Sequence, residues 1–255
     1  MTLDFFTPPR DFAPGIRALT TTRHGGVSQG PFAALNLGDH VGDQPAAVAE
    51  NRRRLQAVTG CGRIQWLRQV HGNRCIRATA SSVAMVPEAD AAWTDELDLG
   101  LAVLTADCVP VVVAAPRAGI VGIAHAGWRG LVDGVLQTLL DALPVPARDL
   151  VAWLGPAIGP ADYQVDAPLV RAIAGLPEGE RLVGEVLRPD PRPERWWLDL
   201  FALTAALLAR AGVERVTSDR ISSFADPRCF SHRRATARGE PTGRMATLVW
   251  RPVDL

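Results

Sequence analysis

Three short segments of the sequence each place a potential metal ligand beside a turn. The segments RQVHG, TADCVP and HAGWRG carry His71, Cys108 and His125, respectively. Two imidazoles and one thiolate can hold zinc in a tetrahedral site whose fourth position is open to water or substrate. The intervals of 37 and 17 residues match no short-spacing zinc motif, and an isolated cysteine is often only a small buried side chain. The pattern alone therefore leaves open both a metal centre and three structural side chains.

Charged side chains adjoin two of these ligands. Asp107 precedes Cys108 and could support that ligand, carry a proton as a general acid or base, or cap a turn. Arg129 follows His125 in a glycine-bearing turn before a predicted helix, where free backbone N–H groups could bind an anion. The same glycines could equally serve only a tight connection.

Three further arginines stand in polar loops. Arg23 lies in TTRHGGVS, Arg233 in FSHRR and Arg244 in TGRMA. A guanidinium can bind phosphate or carboxylate with two parallel hydrogen bonds, so these residues are candidate substrate-binding groups. Arginine is also common on exposed loops, so a purely structural role remains the alternative.

Strands must position the ligands, because apolar runs precede them. We expect each ligand to lie where a strand ends, and strands are predicted at residues 64–67, 101–104, 109–114, 120–124, 150–154, 213–217 and 246–250. Helices are predicted at residues 45–59, at about 130–143, and from Asp199 as N-cap to Gly212. Continuous apolar runs are typical of strands buried on both faces, which requires helices over a central sheet or two stacked sheets. With no evident linker or repeat, we expect a single domain over residues 1–255.

Composition narrows the class of protein. Acidic and basic residues balance at 27 each, so no strong field favours nucleic acid or an anionic membrane as a partner. The start of the chain lacks a signal-peptide pattern and no uncharged run approaches the length of a membrane span, which predicts a cytoplasmic protein. Its four cysteines are then expected to be thiols, ligands or nucleophiles rather than disulfides. All basic side chains except histidine are arginine, so lysine chemistry is excluded.

In their order along the chain, these segments resemble the YfiH-like family, also called the laccase-domain or multicopper polyphenol oxidoreductase family. The resemblance covers nearly the whole chain through TTRHGGVS, NLGDHVGD, QVHG, TADCVP, HAGWRG, GPAIG, FSHRR and TGRMA. It implies an α+β fold of mixed sheets packed centrally with helices on the outside, as a layered α/β/β/α sandwich. It also implies a metal, usually zinc, held by His71, Cys108 and His125.

The resemblance implies activity on purine nucleosides: phosphorolysis of adenosine, inosine and methylthioadenosine, and deamination of adenosine. For phosphorolysis, inorganic phosphate would be the second substrate, and Arg129 with the adjoining helix N-terminus is the expected group to hold it. For deamination, Asp107 is the expected proton carrier. A copper-dependent polyphenol oxidase is an alternative, although only five histidines are present and a multicopper cluster needs many. A metal-free amidohydrolase using Cys108 on cell-wall precursors and a simple binding module are further alternatives. The sequence leaves the oligomeric state open.

Overall fold

The most apolar segments form the middle of a six-stranded mixed sheet. The structure is a computed structural model that describes residues 3–253. In the two long central strands of this sheet every residue is buried, as expected for strands covered on both faces. In order across the sheet the strands are β13 (Arg215–Thr217), β9 (Val151–Leu154), β7 (Val109–Ala115), β8 (Ile120–Ala126), β5 (Ala91–Thr94) and β4 (Cys75–Arg77).

A five-stranded sheet stacks on the first one. Its strand β14, Met245–Trp250, pairs antiparallel with two neighbours, so this segment lies in the centre of the sheet. Its order is β1 (Phe5–Phe6), β2 (Arg17–Thr21), β14 (Met245–Trp250), β6 (Leu99–Thr105) and β3 (Arg63–Gln65). A small antiparallel sheet consists of β10 (Gln164–Asp166), β12 (Arg195–Leu198) and β11 (Leu187–Pro189).

Helices cover the outer faces of both large sheets. The helices are α1 (Pro45–Thr59), α2 (Trp128–Val132), α3 (Val135–Ala142), α4 (Ala167–Ala174), α5 (Gly179–Val186), α6 (Leu200–Arg210) and α7 (His232–Thr236). Leu55 of α1 packs with the outer face of the five-stranded sheet, and Leu139 of α3 packs with the outer face of the six-stranded one. Val112 and Leu101 belong to the apolar layer between the sheets. This arrangement confirms the α+β class and the layered α/β/β/α sandwich. No helix within residues 3–253 is long and apolar enough to cross a membrane.

Helix α1 keeps both expected ends and α6 keeps its expected start, whereas α6 ends at Arg210 with Ala211 as its C-cap, one residue before the predicted Gly212. Helix α1 stops at Gly60, whose φ of 65° suits glycine. Asp199 caps α6 by accepting a hydrogen bond from the Ala202 N–H at 2.9 Å, a contact typically worth about 1 kcal/mol. The continuous helix predicted at residues 130–143 is wrong, because Gly134 adopts a φ of 84° and separates α2 from α3.

Candidate metal centre

The three potential ligands come together at one end of the central strands β7 and β8 of the six-stranded sheet. Their ligand atoms all lie within 4.8 Å of one another. His125 is the penultimate residue of β8, and Cys108 lies in the turn that joins β6 to β7. Since Val109 pairs with Ala126 across these antiparallel strands, Cys108 lies beside the backbone just beyond His125. The hairpin register therefore brings two of the ligands together.

His71 reaches the site differently. The prediction that it ends a strand is wrong, because β3 stops at Gln65 and His71 lies in the irregular loop that follows, with a φ of 60°. A carboxylate fixes this loop: Asp90 accepts hydrogen bonds from the backbone N–H groups of Val70, His71 and Gly72 at 3.0, 3.0 and 2.9 Å. Three N–H groups bound by one carboxylate define the loop's conformation without regular secondary structure.

Asp90 also orients the second histidine. Its Oδ1 lies 2.8 Å from Nδ1 of His125, and the backbone of His125 donates to the Asp90 carbonyl at 2.7 Å. With Nδ1 bound to a carboxylate, Nε2 is the nitrogen left to bind a metal. Asp90 is fully buried, and sequence reasoning missed it. Its position between Ala89 and Ala91 was an available signal, because a carboxylate in an apolar segment needs partners.

The electrostatics of Cys108 and His125 are coupled. Burial disfavours the thiolate, but the charges and hydrogen bonds of His125 and His71 outweigh it and lower the pKa of the Cys108 thiol to about 6. Burial also disfavours the imidazolium, whereas the Cys108 thiolate and Asp90 raise the pKa of His125 to about 9. In the absence of a metal, the pair therefore favours thiolate and imidazolium near neutral pH.

The other cysteines contrast with Cys108. All four are free thiols. Burial raises the pKa of Cys61 to about 11 and the pKa of both Cys75 and Cys229 to about 12. Since the thiolate is the form that binds metal and attacks electrophiles, Cys108 is the thiol best suited to either role.

Gly127 has no side chain, which leaves space beside the ligands Cys108 and His71. A Cβ atom on Gly127 would lie 3.0 Å from Sγ of Cys108 and 3.2 Å from Cδ2 of His71. In a tetrahedral zinc site, ligand atoms bound at roughly 2.0–2.3 Å lie about 3.3–3.7 Å apart. The donor types, the ligand spacing within 4.8 Å and the space at Gly127 all fit a single zinc ion.

A cavity of about 360 Å³ opens beside the ligands. It combines apolar, aromatic and cationic groups, an arrangement typical of small-molecule sites. Its lining comprises His71, Ala106, Asp107, Cys108, Gly127, Trp128, Arg129, Ile158, Tyr163, Leu200, His232 and Arg233. A neighbouring cavity of about 260 Å³ shares Trp128, Arg129, Tyr163 and Arg233 and adds Arg195, so the two cavities adjoin, and we call them together the groove.

Two of the candidate arginines stand on aromatic rings in this groove. The guanidinium of Arg129 lies 4.5 Å from the ring centroid of Trp128. The guanidinium of Arg233 lies 5.2 Å from the ring centroid of Tyr163 and donates to the Gln164 carbonyl. Stacking of this kind limits the rotamers of an arginine and presents its free N–H groups in a defined direction.

Asp107 lies on the cavity wall, and its carboxylate oxygens are already engaged. The hydroxyl of Ser223 donates to Oδ1 and the backbone N–H of Arg233 donates to Oδ2, both at 2.6 Å. Asp107 has a φ of 95°, a backbone conformation that is strained for any residue other than glycine. These contacts attach the ligand-bearing turn of Cys108 to α7, so the visible role of Asp107 is to position that turn.

The other two candidate arginines lie outside the cavity lining. Arg244 is largely buried, and its guanidinium donates to the carbonyls of Thr242 and Gly243. Burial lowers its pKa, while the charges of Cys108 and Asp107 act in the opposite direction, so it contributes positive potential from behind the site. Arg23 lines a separate cavity.

Aromatic lining residues were not assigned a role from the sequence. Trp128 lies within HAGWRG, Tyr163 follows GPAIG, and His232 begins α7. Burial, followed by the nearby Cys108 charge, raises the pKa of Tyr163, so its phenol stays protonated. The available signal for Trp128 and His232 was their place inside the same motifs as His125, Arg129 and Arg233.

The chain is similar to known proteins over nearly its whole length. A profile of the family described as multi-copper polyphenol oxidoreductase laccase matches residues 17–252. A protein of Pseudomonas aeruginosa named purine nucleoside phosphorylase is 41% identical over 247 residues, covering 96% of this chain and 98% of its own. One of the same name from Xylella fastidiosa is 43% identical over 249 residues, covering 93% of each chain.

A solved structure gives the same relationship in three dimensions. The crystal structure of a Neisseria meningitidis protein superposes with a TM-score of 0.89 and 36% identity, covering 97% of this chain and 99% of that one. Sequence and fold thus agree over almost the entire length. This chain belongs to the multicopper polyphenol oxidoreductase laccase family.

Proposed function

We propose that this protein is a zinc-dependent purine nucleoside phosphorylase that also deaminates adenosine. The observation that carries the proposal is the cavity that His71 and Cys108 line together with stacked arginines and aromatic rings, with the buried His125 close enough to share an ion with them. The relatives named purine nucleoside phosphorylase support the phosphorolysis arm. Adenosine, inosine and methylthioadenosine are the proposed nucleosides.

The donor set supports one zinc ion. His71 and His125 would supply nitrogen ligands and Cys108 a thiolate, with Asp90 fixing the orientation of both histidine segments. When bound, zinc supplies a Lewis acid that polarises substrate groups and lowers the pKa of a coordinated water. Copper accepts the same ligands. Within the described part of the chain, however, these three residues are the only group of three close enough to share an ion, which favours a single metal over a multicopper cluster.

The chain's own residues suit a nucleoside and a phosphate. Trp128 and Tyr163 each have an arginine over one ring face, and a purine can pack against the ring surface that still lines the cavity. Arg129 and Arg233 present cationic forks that match phosphate oxygens. Holding phosphate next to the ribose C1′ turns a two-substrate reaction into one within a single complex. The phosphate oxygen then forms a bond to C1′ as the bond from C1′ to the purine breaks.

The experiment is product analysis with adenosine, with and without inorganic phosphate. Phosphate-dependent adenine marks phosphorolysis, and inosine marks deamination. We expect Cys108→Ala to lose both products, whereas Cys75→Ala, which removes a thiol outside the cavity, keeps them. Adenine release that ignores phosphate, or full activity of the Cys108 variant, would contradict the proposal.

A second candidate is a metal-free cysteine hydrolase acting on an amide. The observation that favours it is the chain of contacts from Asp90 to His125 to Cys108, which has the roles of orienting group, base and nucleophile. Cell-wall precursors are the proposed substrates of this alternative. A chelator separates the two: it abolishes nucleoside phosphorolysis, but it leaves a cysteine hydrolase active while a thiol-alkylating reagent stops it.

A further inference from the structure

A second basic cavity lies on the other side of α7 from the metal centre. It has a volume of about 430 Å³ and is walled by Gly30, Pro31, Ser231, Pro241, Thr242 and four charged residues: Arg23, Arg234, Arg238 and Glu240. Within α7, His232 and Arg233 face the metal cavity, while Arg234 and Ala235 face this one. The two cavities are therefore separate sites that share one short helix.

The cavity carries an excess of positive charge. Among residues 3–253 no carboxylate lies within 4.0 Å of the guanidinium groups of Arg23, Arg234 or Arg238. Glu240 is the acidic residue of the lining, so the walls hold three cations and one anion. Burial, and then the charges of Arg234 and Arg238, lower the pKa of Arg23, as expected for a cation close to two others.

Hydrogen-bond donors with no protein acceptor also face the cavity. The Nε of Arg23 donates to the Ala33 carbonyl at 2.7 Å, while its two terminal nitrogens have no partner in the described structure. The Ser231 hydroxyl accepts from Arg234 N–H but donates to no described group. The buried Thr242 side chain makes no hydrogen bond within residues 3–253. The unpartnered atoms of Arg23 and Thr242 keep some exposure, since Oγ1 of Thr105 is the one inaccessible side-chain N or O atom without a partner within residues 3–253. A ligand that enters the cavity can therefore reach them.

We propose that this cavity is a second anion site, which binds a phosphate group through Arg23, Arg238 and the hydroxyls of Ser231 and Thr242. A tetrahedral phosphate offers acceptor oxygens in several directions, as these donors require. Glu240 can accept a hydrogen bond from a hydroxyl of the ligand, either the P–OH of inorganic phosphate or an alcohol of a phosphate monoester. Arg234 contributes charge alone, since its guanidinium is already bound to backbone carbonyls.

The test is titration of the full chain with inorganic phosphate, followed by the NMR shifts of individual backbone amides. We expect saturable shifts at Gly30, Ala235 and Thr242 that follow one dissociation constant. Amides at Gly127 and Trp128 report on the metal cavity, so binding there is distinguished from binding here. Glycerol 3-phosphate, titrated in parallel, shows by its relative affinity whether the site takes free phosphate or a monoester.

Two variants and a matched control complete the test. Arg238→Gln removes an exposed cation that makes no side-chain hydrogen bond in the described structure, and Thr242→Val removes a hydroxyl at nearly constant volume. We expect the first to weaken phosphate binding roughly tenfold, because a charge-assisted hydrogen bond is lost. Arg117→Gln, an exposed arginine in another cavity, controls for net charge and should bind phosphate like wild type. Absence of saturable shifts, or equal affinity of the Arg238 and Arg117 variants, would overturn the proposal.

Discussion

Replacing Asp90 with asparagine changes one buried side chain that holds two of the ligand-bearing segments. The carboxylate accepts four hydrogen bonds: from the N–H groups of Val70, His71 and Gly72 and from Nδ1 of His125. An asparagine amide keeps one accepting oxygen and turns the other position into a donor. Two of the four partners therefore meet an N–H group in place of an oxygen.

The magnitude follows from those two lost acceptors. A buried donor left unsatisfied costs about 1–3 kcal/mol, so two cost about 2–6 kcal/mol. Because Val70 in this loop is half exposed, water can bind one of the donors that lose their acceptor. We therefore expect Asp90→Asn to lower the free energy of unfolding by about 2–3 kcal/mol. If the amide nitrogen faces His125, the imidazole must carry its proton on Nε2, the nitrogen needed for the metal.

The assays are urea unfolding of the metal-free protein and competition for zinc with a chromophoric chelator. Loss of a partner that orients a metal ligand typically lowers metal affinity about 10–100-fold, and we expect Asp90→Asn to fall in that range. Asp95→Asn is the matched control, because Asp95 is partly exposed and pairs with Arg77 on the surface, where a pair contributes at most about 1 kcal/mol. Equal zinc affinity and equal unfolding of the two variants would refute this account of Asp90.

Three further outcomes follow from the same geometry. In metal-free protein, the alkylation rate of Cys108 should rise with a midpoint near pH 6, where its pKa lies, while Cys75 stays unreactive and zinc protects Cys108. Mass spectrometry of the modified peptides measures this, and equal labelling of Cys75 and Cys108 would contradict it. Gly127→Ala should lower zinc affinity because its Cβ would crowd Cys108 Sγ at 3.0 Å, and a wild-type affinity would contradict the space argument. Burial opposes ionisation of Asp90, but its hydrogen bond from His125 and those from the backbone lower its pKa in the folded state. Its stabilisation is therefore complete above the unfolded pKa of about 3.9 and is lost below it, so the stability gap between wild type and Asp90→Asn should narrow as the pH falls below about 4.

Local signals in the sequence predicted those parts of the fold that local physics determines. Helix α1 begins with a proline and ends at a glycine, and Asp199 caps α6, so both were placed correctly from residue type alone. The break at Gly134 was missed because an isolated glycine within an apolar helical pattern is often tolerated. Here its positive φ separates α2 from α3.

The candidate site was predictable in part for the same reason. Cys108 and His125 lie in one hairpin, so the strand pattern that placed them was local. The position of His71 depends on a loop without periodicity and on the hydrogen bonds of Asp90, which is far in sequence from both His71 and His125. Arg23 and Arg233 could not be told apart by residue type, since only the packing of α7 puts them in different cavities.

Phosphate-dependent release of adenine from adenosine, measured before metal removal, after it and after adding back zinc, tests the central claim most directly. The account predicts that activity is lost on removal and returns in full with about one zinc ion per chain, because His71, Cys108 and His125 form one three-ligand centre. Undiminished phosphorolysis by the metal-free protein would contradict it.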